Sequence, residues 1–213
     1  MTSKKAEAAD SAPAAKAREA YHHGDLRAGL IAAAREALEA SAPEDITLKS
    51  LAVRLGVSQP APYRHFANRE ALLAAVAADG FVRFRTAIAE AGASAPPNEQ
   101  FLRSALAYVA FGRSNRGVYR LMFASRLLQG TEDDALAGAA KASFDDLVEG
   151  VARSAPPERV QAMAVWIWAT LHGLVMLEAE GLLGEAEPDC GMPEAEAAIR
   201  QMIAVLQGGG QPR

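Results

Sequence analysis

Two stretches of this sequence carry side chains whose types and spacing suit binding or catalysis. SQPAPYRHF, at 58–66, places an amide, a phenol, a guanidinium and an imidazole within seven positions. Such groups donate hydrogen bonds to phosphate oxygens and to the edges of bases. YHHGDLR, at 21–27, holds two histidines and an aspartate, which serve elsewhere as metal ligands or as acids and bases.

The histidine stretch does not fit a metal site or an enzyme site. His22 and His23 are adjacent, so their side chains diverge on an extended segment, and no HExxH motif follows them. The single Cys190 excludes a disulfide framework and a multi-cysteine zinc site. An all-α enzyme using these histidines or His172 is the rival interpretation, but no nucleophile and base pair, phosphate loop or paired carboxylate motif accompanies them. We expect no enzymatic activity, no metal and no cofactor.

The same stretch has a simpler role at the start of a helix. Gly24 and Asp25 precede the apolar stripe of GDLRAGLIAAAREAL, and a carboxylate is favourable at the positive end of a helix. We therefore predict that the first helix begins here. His22 and His23 are assigned no role by this interpretation.

The spacing of apolar residues predicts an all-α protein. Apolar positions recur at helical spacing through most of the chain, and no run alternates β-branched residues as strands do. Proline and glycine breaks divide the chain into about nine helices. The first twenty residues, rich in alanine and charge, predict a disordered arm rather than a secretory signal.

The segment at 58–66 lies where the second helix of a helix-turn-helix motif is expected. The preceding helix, LKSLAVRL at 48–55, has Thr47 as its predicted N-cap and ends at Gly56. Two short helices joined by a glycine-containing turn are typical of this motif, whose second helix enters the major groove of DNA. Asn68 is the predicted cap of the long helix that follows.

Two prolines occupy the start of that second helix. If Gln59 is the N-cap they cost little, because the first N–H groups have no acceptor within the helix. If Ser58 is the N-cap, Pro62 loses the first hydrogen bond of the helix, and Ala61 before Pro62 loosens the first turn. At 100° per residue, Pro62 and Phe66 face inward, and the outward face consists of Pro60, Ala61 and Arg64. An outward face without bulk lets the helix end approach base edges, and Gln59 can pair with adenine.

The charge distribution favours DNA as a partner. The chain has a net charge of −4, but residues 1–90 hold twelve Lys and Arg against eleven acids, and the rest holds ten against fifteen. From Ile46 to Arg69 there are basic residues and no acid. The alternative, in which Tyr63 is a core aromatic and the cations are ordinary surface charge, does not explain that absence.

A nearly uniform apolar stretch, Ala162 to Leu177, lies in the second half of the chain. It is shorter than the roughly 20 residues of a membrane span and is flanked by charges, so we predict a helix buried on all sides and no membrane partner. Trp168 and His172 lie four apart on it, followed by Gly173.

With these residues in view, ITLKSLAVRLGVSQPAPYRHFANREALLAAV at 46–76 resembles the DNA-binding region of the TetR (tetracycline repressor) family. The similarity extends from Asp25 to Val76, and YHHGDLR occurs in one branch of these regulators. The sequence departs from the family pattern at Pro62, where an aliphatic residue is usual. The W-x-x-x-H-G pattern of Trp168 and His172 resembles the C-terminal TetR domain named for its Trp, His and Gly.

The resemblance implies a cytoplasmic, homodimeric transcriptional repressor that binds a pseudo-palindromic operator in double-stranded DNA. It implies a helix-turn-helix DNA-binding domain at 21–68 and a ligand-binding and dimerisation domain at 69–207, with a flexible tail at 208–213. The last two helices would form the dimer contact. By position, the residues expected to contact bases are Gln59, Pro60, Ala61 and Lys49, and those expected to contact phosphates are Thr47, Ser58, Tyr63, Arg64, His65 and Arg69.

The resemblance also implies a pocket for a small effector. Its expected lining is mostly apolar, which favours an apolar or aromatic inducer, and consists of Tyr119, Met122, Phe123, Trp166, Trp168, His172 and Met176. The alternative is that Trp168 and His172 are core residues, His172 being a satisfied buried histidine.

A dimeric helical adaptor that has lost specific DNA binding remains the alternative function. The basic surface at 46–69 separates the two functions, because only a regulator needs it. Reversing the charge of Arg64 and Arg69 is expected to abolish DNA binding only in a regulator.

Overall fold

The computed structural model describes residues 25–124, 134–183 and 195–208. This part of the chain is all α, as predicted, and contains no strand. It has eight α-helices rather than about nine: α1 Leu26–Leu38, α2 Leu48–Leu55, α3 Arg69–Ala93, α4 Gln100–Ser114, α5 Arg116–Met122, α6 Asp134–Ala152, α7 Val160–Ala179 and α8 Ala195–Gly208. Single 3-10 turns occur at Pro43–Asp45, Pro62–Arg64 and Pro157–Arg159.

The helix boundaries of the N-terminal part follow the predicted signals. Asp25 caps α1 by accepting from the Ala28 N–H at 2.9 Å, and Thr47 caps α2 by accepting from the Ser50 N–H at 3.0 Å. Gly56 ends α2 in the left-handed conformation, with φ of 69°. These caps confirm the helix starts that the sequence predicts. The expectations for the arm at 1–20, for His22 and His23, for Cys190 and for residues 209–213 lie outside the described residues.

The 25-residue helix α3 connects the two parts of the molecule. Its N-cap, Asn68, accepts from the Ala71 N–H at 2.8 Å, as predicted. One end of α3 packs against α1, which with α2 and the Pro62–Arg64 turn forms a unit that we call the head. Along its length α3 also contacts α4, α5 and α6, the main helices of the body. The buried side chains of head and body form a single continuous cluster.

The body helices approach so closely that glycine is required at some contacts. A Cβ on Gly112 of α4 would overlap the Val175 side chain of α7. A Cβ on Gly80 of α3 would lie 2.8 Å from the Met122 sulfur of α5, well inside van der Waals contact. In contrast, a Cβ on Gly138 of α6 would meet no atom within 4 Å.

The expectation that α7 is buried on all sides is wrong for the single chain. α7 buries the face with Ile167 and Leu171 against α4 and α6, while Val165 and Trp166 are 49% and 43% exposed. With the preceding turn, Pro157–Ala179 is long and apolar enough to cross a membrane by length and composition alone, at a mean hydropathy of 1.6. Within the described residues, the main packing partners of α7 are α4 and α6, and its second face stays exposed at Val165 and Trp166.

We expect Gly112→Ala to lower the free energy of unfolding by about 1–3 kcal/mol, because the added methyl group must displace Val175. Gly138→Ala is the matched control and should raise it by about 0.5–1 kcal/mol, since alanine is the better helix former in open space. Urea unfolding followed by circular dichroism measures both. Equal effects of the two substitutions would contradict the close packing of α4 on α7.

Candidate DNA-binding surface and aromatic core

The segment at 58–66, which we call the reading turn, is not an α-helix. Its backbone is held by short-range bonds: Ala61 N–H donates to the Ser58 carbonyl at 3.0 Å, and His65 N–H donates to the Pro62 carbonyl at 3.0 Å. Pro62 has no N–H, so it cannot make the α-helical bond to the Ser58 carbonyl. The sequence predicts a loosened first helical turn, and the structure has no α-helix there at all. A single 3-10 turn lies where the second helix of the motif was expected.

The two faces of the reading turn lie as the sequence predicts. Pro62 and Phe66 are buried. The Arg27 guanidinium lies 5.3 Å from the centre of the Phe66 ring, in a cation–π contact that the sequence does not reveal. Pro60 and Arg64 are exposed on the outer face.

The residues expected to contact DNA all belong to the head or to its junction with α3, and the reading turn packs against α2. Tyr63 is 56% exposed, so it is not a core aromatic. The other exposed members of the set are Thr47, Lys49, Ser58, Gln59, Pro60, Arg64 and His65, and the half-buried ones are Ala61 and Arg69.

Two of the four cations between Ile46 and Arg69 are held by groups of the protein itself. Arg54 pairs with Glu36 of α1 at 2.6 Å. Arg69 donates to the Pro43 and Glu44 carbonyls at 3.3 Å and pairs with Glu70 at 3.2 Å. Arg69 therefore braces the loop before α2 against the start of α3, and its availability to phosphate is reduced.

The other two cations, Lys49 and Arg64, are exposed and make no ion pair within the described residues. Their side chains are the ones with full charge available to a partner. The positive surface is thus smaller than the sequence indicates, and it is centred on α2 and the reading turn.

A second polar site lies inside the body, among aromatic rings. The Tyr119 hydroxyl lies 3.0 Å from the Tyr108 hydroxyl and 2.8 Å from His172 Nδ1. The Trp168 ring, which is 38% exposed, lies beside them, 6.2 Å from the ring of His172. We call these four residues the hydroxyl chain.

The donors of the hydroxyl chain can all point in one direction. Burial lowers the pKa of His172, which favours a neutral ring whose Nδ1 accepts from the Tyr119 hydroxyl. Tyr108 then donates to Tyr119, whose hydroxyl donates in turn to His172 Nδ1. Burial raises the pKa of Tyr108 to about 12 and that of Tyr119 further, so both hydroxyls keep their protons. Each buried hydroxyl is thereby satisfied.

Aromatic side chains surround the hydroxyl chain. The Phe123 ring lies 4.8 Å from that of Tyr119 and 4.7 Å from that of His172, and the Phe144 ring lies 5.8 Å from that of Trp168. The structure thus joins Tyr119, Phe123, Trp168 and His172 of the expected pocket.

The other expected pocket residues differ in burial and do not all lie beside the hydroxyl chain. Met122 is fully buried against Gly80, and Met176 is half-buried against the core. Trp166 lies apart, on the exposed face of α7. Tyr108 and Phe144 were not expected in this site. Their partners come from other helices, so no local sequence signal could place them there.

The fold, the exposed reading turn and the helical body define a class of protein, the DNA-binding regulators with a helix-turn-helix head. Residues 30–76 match the family described as bacterial regulatory proteins, tetR family, and residues 101–206 match the Tetracyclin repressor-like C-terminal domain. The chain belongs to the TetR family of transcriptional regulators, and its activity is regulation rather than enzymatic catalysis.

Individual relatives agree with this assignment. A protein of unknown function from Rhodococcus sp. RHA1 is 30% identical with a TM-score of 0.74, over 89% of this chain and 98% of that one. A TetR variant from Acinetobacter baumannii AYE, solved in complex with minocycline, is 25% identical with a TM-score of 0.56, over 86% of this chain and 97% of that one. An uncharacterized HTH-type transcriptional regulator of Mycobacterium tuberculosis is 25% identical over 88% of this chain and 82% of its own length.

We expect Tyr119→Phe to lower the free energy of unfolding by about 1–3 kcal/mol, because it leaves the Tyr108 proton and His172 Nδ1 buried without a partner. Tyr63→Phe removes the same hydroxyl from an exposed position and should change stability by less than about 0.5 kcal/mol. Urea unfolding compares the two. If Tyr119→Phe leaves the free energy of unfolding unchanged, the hydroxyl chain contributes nothing to the stability of the fold.

Proposed function

We propose that the protein is a ligand-responsive repressor that binds a pseudo-palindromic operator as a homodimer and is released by a small, mostly apolar inducer. The observation that carries the ligand response is the hydroxyl chain, in which the buried Tyr108 and Tyr119 hydroxyls lead to the half-buried His172 beside the Phe123 ring. A pocket built from apolar walls with few polar groups orients a ligand through those groups. The repressor acts on DNA in the cytoplasm.

The exposed head supports DNA recognition by the reading turn. Gln59, Pro60 and Ala61 would contact base edges, and Lys49 would contact a base or a phosphate. The remaining expected contacts, from Thr47, Ser58, Tyr63, Arg64, His65 and Arg69, would go to phosphates and fix the position of the head on the duplex. Because Arg69 also braces the loop before α2, its phosphate contact would be the weakest of these.

The uncovered face of α7 supports dimerisation. Ala162, Val165, Trp166, Ala169 and Leu177 lie on one side of this helix and are exposed. An apolar stripe of this kind on a surface marks an interaction site. On α8, Val205 is 54% exposed as well. A second copy related by a two-fold axis would cover both helices and place two heads on one operator.

The aromatic core supports an apolar or aromatic inducer. The TetR variant of A. baumannii has been solved in complex with minocycline, so a related chain of this fold binds a small molecule. A ligand with one hydrogen-bonding group on an apolar frame could replace a bond of the hydroxyl chain while its frame contacts Phe123 and Phe144. Domain limits of 21–68 for the head and 69–207 for the body fit this division of roles.

Release follows from a difference in ligand affinity between two arrangements of the heads. Ligand binding in the body would favour the arrangement in which α3, hinged near Asn68 and Arg69, holds the heads at a separation that does not match the operator. The effector acts only as far as it binds that arrangement more tightly.

We expect saturable binding to the operator at least about a thousandfold tighter than to scrambled DNA, with log affinity falling linearly in log salt. Lys49→Glu with Arg64→Glu should abolish it, because these cations have no partner in the described protein. The control pair, Arg103→Glu with Lys141→Glu, makes the same charge change on the body. Fluorescence anisotropy with DNA from upstream of the gene, and with duplexes selected from a random library, measures all three proteins.

Loss of binding in both double variants would indicate a bulk charge effect rather than a reading surface. Weak and equal binding to every DNA would support the adaptor function instead. The same assay, repeated with a library of apolar and aromatic compounds, tests release. Operator affinity that no compound lowers would contradict the ligand response while leaving DNA binding intact.

We expect the native protein to be a dimer and Val165→Glu to convert it to a monomer of 22.4 kDa, because the new carboxylate would be buried without a partner in the interface. Val53→Glu makes the same change at an exposed valine of the head and should leave the dimer intact. Size-exclusion chromatography with light scattering measures the mass. A native monomer, or a dimer that tolerates both substitutions, would rule out the α7 face.

A further inference from the structure

The short helix α5 touches the head and the connecting helix α3, and it carries Tyr119 of the hydroxyl chain. It has seven residues, of which Val118, Tyr119, Leu121 and Met122 are buried. Its position makes it a candidate for carrying a change in the core to the head.

The contact of α5 with the head leaves no free space. A Cβ on Gly117 would overlap the carbonyl group of Leu38, the last residue of α1, and backbone atoms cannot move aside as a side chain can. Beside this contact, the Glu39 carboxylate accepts from the N–H groups of Gly117 and Val118, both at 3.3 Å. A carboxylate of the head thus caps a helix of the body across 78 positions of sequence.

The opposite side of α5 packs its side chains closely on α3. A Cβ on Gly80 would lie 2.8 Å from the Met122 sulfur and 2.9 Å from Val118 Cγ1. α5 is therefore held between α1 and α3, and it cannot shift at one surface without moving the other.

The third side of α5 reaches the core through Tyr119. The Tyr119 hydroxyl forms a hydrogen bond with His172. Tyr119 is two residues after Gly117, which is about 3 Å along the helix axis. A ligand that displaces Tyr119 thus moves the segment against which Leu38 and Glu39 pack.

We propose that the contact of Leu38 and Glu39 with Gly117 transmits the state of the hydroxyl chain to the head, with Glu39 as a positioning residue. This inference rests on the proposed function and names the route by which its ligand response operates. Coupling is reciprocal, so operator DNA bound to the head must also change the surroundings of Trp168. That consequence can be measured without knowing the inducer.

The experiment is fluorine NMR of the full chain labelled with fluorotryptophan, titrated with an operator duplex selected from a random library. The chain has two tryptophans, and the resonance missing in Trp168→Phe identifies Trp168. We expect operator DNA to shift this resonance. Glu39→Ala should remove more than half of the shift at saturating DNA, and Glu39→Gln, which keeps one acceptor oxygen, should restore part of it.

Glu36→Ala is the matched control, because it removes the same charge from the same helix end but breaks only the pair with Arg54 inside the head. It should keep the full shift. Gly117→Ala is a second variant that should also lose more than half of the DNA-induced shift of the Trp168 resonance. If circular dichroism shows that the Gly117→Ala protein does not fold, the result for Glu39→Ala alone tests the inference.

The outcomes separate the two proposals. If no duplex is enriched in the selection, the proposed function fails and the inference fails with it. If the operator binds but the Trp168 resonance does not move, or moves fully in Glu39→Ala, the inference is overturned while the regulator function stands.

Discussion

The structure depends most on the packing of α5, which meets the backbone of α1 at Gly117 and packs its own side chains against Gly80 of α3. Gly117 against Leu38 and Gly80 against Met122 fix this helix to two others, and Tyr119 extends from it into the core. Close-packed contacts of this kind have few alternative arrangements, so they hold one geometry or change to another as a unit. The head and the body are therefore joined by more than the continuous helix α3.

The sequence predicted those features that depend on neighbouring residues. Caps at Thr47 and Asn68 and the glycine end of α2 are local signals, and the structure confirms them. The inward face of Pro62 and Phe66 followed from helical spacing and is also correct. The reading turn differs from the expected helix only because the missing N–H of Pro62 removes the bond that would have started it.

What could not be predicted are the contacts between distant positions. Arg54 with Glu36 and Arg69 with the loop before α2 reduce a basic surface that is free of acids in sequence alone. The cap that Glu39 provides for α5 has no local signature. The open face of α7 could not be predicted from composition. An apolar helix has the same composition whether its second face packs within its own chain or against a different one.

The two prolines of the reading turn also limit the backbone conformations open to the segment that we propose to contact DNA. Ordering a flexible backbone costs about 1–2 kcal/mol per residue at the moment of binding. In this head φ is fixed by the rings at Pro60 and Pro62, and Phe66 anchors the far end in the core. Docking of this turn on DNA would therefore require less ordering of the backbone than docking of a flexible loop, so less of the favourable contact energy would be lost.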